Sequence, residues 1–267
     1  MAGAVELSVD GASATPEDLA SVALVNYGAY TSFRVEGGGV HGLDLHLARL
    51  EAEALELFGE AVGEERLRDL MRGAVAGRAA CWLRVSLFSP DISPRTPDWK
   101  GAPRVMIAVS PPPPPLADGP RLQLQAYARE AAHLKHVATF GLIHARRAAR
   151  LAGFDDALFV DGEGRISEGS LWNIGFVSGE CVVWPQAPML AGVAQALVQR
   201  GLRGVGLEGR TEPVHVADLA RFDAAFLCNS ATPACAIAAI GERIFTTPPG
   251  LSGRLQDAWT SNPVQPL

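Results

Sequence analysis

The chain has 267 residues, 23 basic against 29 acidic side chains, a formal net charge of −6, and 48% hydrophobic residues. Such a length buries a sizeable core as one large domain or two smaller ones, and the apolar fraction excludes a disordered chain. The acidic balance argues against a nucleic-acid partner, and no uninterrupted apolar run reaches the ~20 residues that a membrane-spanning helix needs. The N-terminus, MAGAVELSVDGASATPEDLA, lacks the basic segment and apolar core of a signal peptide. Cys81, Cys181, Cys228 and Cys235 are scattered with no CxxC pair, the pattern of buried thiols in a reducing cytoplasm. Among the basic residues only two, Lys100 and Lys135, are lysines, so any chemistry that needs a primary amine has two side chains to use.

In chain order, Val22–Val35 mixes β-branched and aromatic residues and runs into Gly37, Gly38 and Gly39, which predicts a hairpin with a glycine turn. Asp44 is expected to cap a helix over 45–58 that stops at Gly59 and carries Leu47, Leu50, Ala54 and Leu57 on its apolar face, with His46 and Arg49 sharing a side. A second helix over about 63–76 and strands at 81–88 and 105–110 complete an α+β domain of residues 1–110. Five prolines, Pro111–Pro115, open an extended linker over 111–120. The second domain, 121–267, begins with a strand at 122–128 and a helix over 140–152. A run of hairpins follows (157–161, 165–169, 173–177, 181–184), then a helix over 193–201 and a buried strand at 224–230.

Three familiar motifs fail on context. GVGLEG (204–209) matches GxGxxG, but a helix precedes it where a dinucleotide site needs a strand, so it reads as a helix-to-strand connection. His133, His136 and His144 cluster without the HExxH pattern of a zinc enzyme, and no metal site is assigned. No GxSxG nucleophile elbow is present. Lys135, in AAHLKHVATFGLIH, remains. An isolated lysine is ordinarily solvated, but Leu134, Val137, Phe140, Leu142 and Ile143 surround this one. A desolvated lysine has a lowered pKa and becomes usable for Schiff-base chemistry.

Several segments, in order, resemble the class IV aminotransferase family. GFDDALFVDGEGRISEGSLWNIGF (153–176) is similar to that family's "S/T-E-G…N" hairpin, which follows a lysine at about the separation of Lys135 and Glu168. YGAYTSFRVEGGGVHGLDLHLARL (27–50) is similar to its "H-x-x-R-L" segment, MLAGVAQALV (189–198) to its "L-x-G-I-T-R" segment, and FLCNSATPACAI (226–237) to its last phosphate-binding strand. The resemblance implies a two-domain, fold type IV pyridoxal-phosphate enzyme with a small α/β N-terminal domain and a larger β-rich, pseudo-barrel C-terminal domain. It also implies a homodimer whose active site lies between the domains.

By the same resemblance, Lys135 forms the Schiff base with pyridoxal 5'-phosphate and shuttles the proton, and Glu168 keeps the ring nitrogen protonated. Arg49, Gly192, Val193, Ala194 and Ser230 would hold the phosphate, and Leu190 would pack on one ring face. Two positions depart from the family: Ala194 stands for a threonine, and Phe140 for a tyrosine that contacts the ring oxygen in branched-chain members. Asn173 matches the hairpin asparagine, with a structural role. Tyr30, Ser32 and Arg34 alternate on the first hairpin, and Trp82 and Arg84 alternate on the 81–88 strand. Tyr30, Ser32, Trp82 and Arg84, with Ala231, are the candidate substrate-binding residues, Arg84 as a bidentate carboxylate holder or as a solvent-facing arginine. The implied reaction is transamination between an amino acid, or an amine, and a 2-oxo acid. A 4-amino-4-deoxychorismate lyase, which eliminates pyruvate with the same lysine and cofactor, is the alternative: LKH and the CN at 228–229 lean that way, and WLRVSLF leans toward branched-chain transaminases. A non-catalytic family member is the third reading.

Overall fold

The computed structural model describes residues 5–267, so the first four residues of the expected N-terminal domain, with the start of the segment tested for a signal peptide, lie outside the described residues. The chain forms two compact units. The first holds the residues up to Pro114 together with Leu134–Ala138 and Val264–Leu267; the second holds Pro115–His133 and Thr139–Pro263. The change from one to the other falls inside the proline run. Two segments expected in the second domain therefore pack with the first. The cause is backbone pairing: His136 bridges to Ala29, and Val264–Pro266 pairs antiparallel with residues 39–41.

The first unit runs β1 (Glu6–Val9), β2 (Ala12–Ser13), α1 (Pro16–Leu24), β3 (Ala29–Glu36), β4 (Gly39–His41), α2 (Leu43–Phe58), α3 (Glu64–Val75), β5 (Ala80–Phe88) and β6 (Arg104–Ser110). Its sheet has the order Val264–Pro266, β4, β3, β5, β6, β1, β2, antiparallel throughout. Pairing of β3 with β5 is unbroken from Ala29–Leu87 to Glu36–Ala80. Odd-numbered residues of both strands (Phe33, Val35, Leu83, Val85) enter the core with Leu43, Leu47, Leu50 and Phe58 of α2 and Leu67 and Met71 of α3.

Two expectations need correction here. Val22–Leu24 ends a helix instead of opening a strand. Thr15 and Asp18 form a reciprocal capping box with Pro16 in the first turn, and that start signal outweighs the β-branched residues that follow. Asp44 does not cap α2. The cap is Gly42 in a left-handed conformation, and the Asp44 N–H donates to Gln265 Oε1 at 3.0 Å. The helix does end at Gly59, with φ 82°.

The second unit runs β7 (Arg121–Ala126), α4 (Phe140–Leu151), β8 (Asp156–Val160), β9 (Ile166–Gly169), β10 (Asn173–Ser178), β11 (Cys181–Pro185), α5 (Val193–Gly201), β12 (Glu208–Glu212), β13 (Ala224–Asn229), β14 (Thr232–Ala236), β15 (Ala239–Ile240), β16 (Arg243–Ile244) and α6 (Leu251–Thr260). β8 to β11 form the expected antiparallel run, with β13 also paired to β10. Three pairs are parallel instead of hairpins: β7–β8 across α4, β7–β15, and β11–β12. GVGLEG runs from the end of a short 3-10 turn, Leu202–Val205, into β12, the helix-to-strand connection expected of it. One apolar cluster joins Leu158, Ile166, Trp172, Phe176 and Leu227, and a second joins Trp184, Val198 and Phe226 to Leu251 and Leu255 of α6. Among the described residues no helix is long and apolar enough to cross a membrane.

The β8–β9 hairpin is tied to the chain after it by Asp156, which is only 4% exposed. Its carboxylate accepts the Ser170 hydroxyl at 2.7 Å, the Trp172 indole N–H at 3.0 Å and the Ala157 N–H at 2.8 Å. Asp156→Ala leaves three buried donors without this acceptor, so stability falls by about 3 kcal/mol, read as a lower urea midpoint at unchanged m-value.

Candidate active site

Lys135 belongs to the first unit through its own peptide group. Its C=O accepts the Tyr30 N–H at 2.9 Å, and its N–H donates to Glu53 Oε1 at 2.6 Å. Two residues on, the Val137 N–H donates to Gly28 O at 2.9 Å. The segment thus lies beside the first residues of β3, joined to it by a single bridge between His136 and Ala29 and bonded on the other side to α2. The half-buried Lys135 side chain carries its Nζ over the Tyr30 ring, 4.9 Å from the centroid.

Tyr30, Ser32 and Arg34 share the sheet face opposite the core with Trp82 and Arg84, as the alternation predicts. The cross-strand partners are Tyr30–Ser86, Ser32–Arg84 and Arg34–Trp82. Arg84 sits over Tyr30, its guanidinium carbon 3.6 Å from the ring centroid, and its Nε donates to Ser86 Oγ at 3.3 Å. Burial pulls this guanidinium below its ordinary pKa, with Tyr30 opposing; it stays charged. Arg34 bonds Glu36 at 3.0 Å and the Pro113 carbonyl at 3.2 Å. Of the two readings held for Arg84, the half-buried stack on Tyr30 removes the purely solvent-facing one.

On α2, His46 is 2% exposed, with its Nδ1 2.6 Å from the Thr31 hydroxyl. Burial, and then the positive charges of Arg49 and Lys135, push its imidazole well below the usual histidine range, so it is neutral at pH 7. Arg49 and Lys135 therefore both bear on the same buried ring.

In the second unit Glu168 is 4% exposed. Its Oε1 accepts from Arg129 Nη1 at 3.2 Å and from the Leu190 N–H at 3.3 Å. The ion pair is itself almost wholly buried, a setting in which removing one partner strands the other's charge. Asn173, cross-strand from both Glu168 and Cys228, donates its amide to Leu190 O at 2.9 Å. The Leu190 peptide is thus held at both its N–H and its C=O. Gly192 follows as the residue before α5, and a Cβ there would run into the Asn173 side chain. Val193 and Ala194 open the helix with their side chains in the core, and no side chain caps it. What the helix start can offer a ligand is backbone N–H, which suits an anion. Ser230 and Ala231 form the turn between β13 and β14, where Asn229 Oδ1 accepts the Ala231 and Thr232 N–H groups at 3.0 and 2.8 Å. Phe140 is the exposed first residue of α4, its ring stacked on His144.

The structure therefore gathers the sequence-read residues into two groups, each within its own unit: Lys135, Tyr30, Ser32, Trp82, Arg84 and Arg49 in the first, and Glu168, Leu190, Gly192, Val193, Ala194, Ser230 and Ala231 in the second. Two polar residues escaped the sequence reading. Glu53 sits where helical periodicity calls for an apolar residue, between Leu50 and Ala54, and that mismatch was its visible signal. Arg129 gave no such signal, because only the fold brings it to Glu168. Among the described residues no group of three or more His, Cys, Asp or Glu is placed to hold a metal ion.

Residues 28–240 match the model of the family described as amino-transferase class IV, and the chain belongs to that family. Comparison with curated protein sequences returns no match. Among solved structures, the fold is similar to a hypothetical aminotransferase from Mycobacterium tuberculosis in its PLP-bound form, with 20% identity over 96% of this chain and 99% of that one at a TM-score of 0.78. It is similar to the branched-chain aminotransferase from the thermophilic archaeon Thermoproteus uzoniensis with norvaline, at 19% identity over 98% of each chain with a TM-score of 0.81. The branched-chain amino acid aminotransferase from Escherichia coli gives 17% identity over 98% and 94% with a TM-score of 0.82. At these identities the likeness concerns the fold, and the two-sheet α+β architecture is that of fold type IV aminotransferases.

His46 makes stability depend on pH. Unfolded, it titrates near 6.5; folded, it resists protonation. Below pH 6.5 the unfolded chain binds the extra proton, so stability falls as pH drops, by up to ~1.4 kcal/mol per unit from this group. Urea midpoints measured between pH 7.5 and 5 should show this slope, and His46→Asn should flatten it.

Proposed function

We propose that the chain is a pyridoxal-phosphate-dependent transaminase that moves an amino group between an amino acid, or an amine, and a 2-oxo acid through a Schiff base on Lys135. The observation that carries this reading is the setting of Lys135. One of only two lysines in an arginine-rich chain has its peptide anchored on both sides and its amine lodged over the Tyr30 ring, beside a neutral imidazole.

The residues fit what the cofactor demands. Lys135 supplies the primary amine, a role arginine cannot take because it does not give up its proton. Glu168, buried and held by Arg129, supplies a carboxylate to keep a proton on the ring nitrogen. Arg49 and the uncapped start of α5 at Gly192, Val193 and Ala194 supply charge and N–H donors for a phosphate, with the Ser230 hydroxyl beside the β13–β14 turn. Leu190, its peptide fixed by Glu168 and Asn173, offers an apolar ring contact. Ala194 can contribute its N–H but no hydroxyl.

When bound, the cofactor supplies the electron sink that makes the substrate Cα–H acidic. Lys135 takes that proton as a base and returns it as an acid. Arg84, over Tyr30 and cross-strand from Ser32, with Trp82 on the same sheet face, would orient the substrate by its carboxylate, and Ala231 is the candidate contact from the second unit. Glu168 would supply the negative charge that holds a proton on the ring nitrogen. Family resemblance adds a homodimer and a cytoplasmic location to the same proposal.

Purified protein given pyridoxal phosphate should absorb in the visible, and borohydride should fix the group on Lys135, read by peptide mass against Lys100. Uptake of none would sink the reading. Lys135→Ala should lower kcat more than about a thousandfold while the thermal midpoint holds, because the peptide bonds at 135 survive the change. A panel of D- and L-amino acids with 2-oxoglutarate or pyruvate, run beside aminodeoxychorismate, separates transfer from elimination. Pyruvate released from aminodeoxychorismate without an acceptor assigns the chain to elimination.

A further inference from the structure

We propose that Glu53 is a positioning residue for the Lys135 amine, an inference that rests on Lys135 being the Schiff-base lysine. Glu53 is 3% exposed and lies on the buried face of α2 with Leu43, Leu47, Leu50, Ala54 and Phe58 and one other polar residue, the neutral His46. Placing a carboxylate on such a face carries a desolvation cost, which offsetting bonds must recover. Its Oε1 accepts the Lys135 main-chain N–H at 2.6 Å, a short, charge-assisted bond.

The geometry gives that bond a specific consequence. The Tyr30 N–H holds the Lys135 carbonyl from the strand side, and Glu53 holds the Lys135 N–H from the helix side. With both ends of the residue bonded, the direction in which its Cα–Cβ bond leaves the main chain is set. The amine then reaches Tyr30 from a defined origin. Lys135 lies in a segment without helix or strand of its own, Tyr127–Thr139. Without the helix-side bond, the Lys135 N–H loses its anchor on α2, and the strand-side bonds at the Lys135 carbonyl and the Val137 N–H hold the segment from one side.

The charged and titratable groups around this point include His46, Arg49, Lys135 and Glu53 itself, with Tyr30 beneath the Lys135 amine and His136 next along the chain. His46, two turns before Glu53 on α2, is neutral. Arg49, one turn before, and Lys135 are the cations that act on His46. Glu53 is the acidic member of that face. Its carboxylate anchors the Lys135 peptide.

The test uses Glu53→Ala and Glu53→Gln in the full chain. The first removes the acceptor; the second keeps an amide oxygen in its place. Hydrogen exchange at the Lys135 amide, measured without added cofactor and referenced to the Val85 amide in β5, should rise about tenfold or more in Glu53→Ala. It should stay near wild type in Glu53→Gln. With cofactor and substrates, Glu53→Ala should lose about tenfold in kcat with KM little changed, the mark of a misplaced amine. Glu53→Gln should recover most of that loss.

Unchanged exchange at Lys135 in Glu53→Ala, or equal damage in both variants, overturns the proposal. Failure of both variants to fold overturns it as well, by making Glu53 a residue of the fold alone. If wild type takes up no pyridoxal phosphate although exchange responds as expected, the Schiff-base reading falls and the positioning role with it. If wild type takes up the cofactor and exchange does not respond, the positioning role falls alone.

Discussion

The first unit is organised around a main-chain constraint at Lys135–Val137, which is bonded to Gly28–Tyr30 through one bridge and two flanking hydrogen bonds. Ordering a residue costs ~1–2 kcal/mol in backbone entropy alone, so a loop stays in one conformation only where its peptide groups find partners. Here the partners belong to the two most regular elements of the unit. The register of β3 with β5 is continuous over its full length, and α2 is packed along one stripe into the sheet. The regularity of these elements is what makes the position of a loop lysine definite. The same register puts Tyr30, Ser32, Arg34, Trp82 and Arg84 on one face, because side chains alternate with a period of two.

The second unit solves a similar problem with side chains. Glu168 and Asn173 grip the Leu190 peptide, one at its N–H and one at its C=O, and Gly192 leaves room for the Asn173 amide. Asp156 ties the hairpin that carries Glu168 to Ser170 and Trp172. Arg129 neutralises the buried carboxylate it touches. Each of these polar groups is costly to bury alone and is bearable because its partner is bonded in turn.

Much of this was legible in the sequence, and the reasons differ by element. The strands at 81–88, 105–110, 173–177 and 224–230 showed because β-branched and apolar residues run together there. The end of α2 showed because Gly59 takes a conformation other residues avoid. Lys135 and Glu168 were reached by motif order along the chain, which needs no contact information. Helix α1 was missed because its capping box sits upstream of the residues that look like strand. The parallel pairs β7–β8, β7–β15 and β11–β12 were missed because pairing between distant segments leaves no local mark. Arg129 and the backbone partners of Lys135 are of the same kind: they exist only once the chain has folded.

The first sheet is completed by residues that follow the whole second unit in the sequence. Val264–Pro266 pairs with β4, and Arg72 of α3 bonds the carbonyl of Leu267 at 2.9 Å. During synthesis the N-terminal sheet therefore leaves the ribosome with one edge bare, and it waits for the second unit to emerge before that edge is covered. A bare edge is the usual place for strands of different chains to join, and contacts between such distant segments form late. Loss of this short strand thus exposes the nascent N-terminal unit to misassembly, although the lost residues lie far along the sequence from everything they protect.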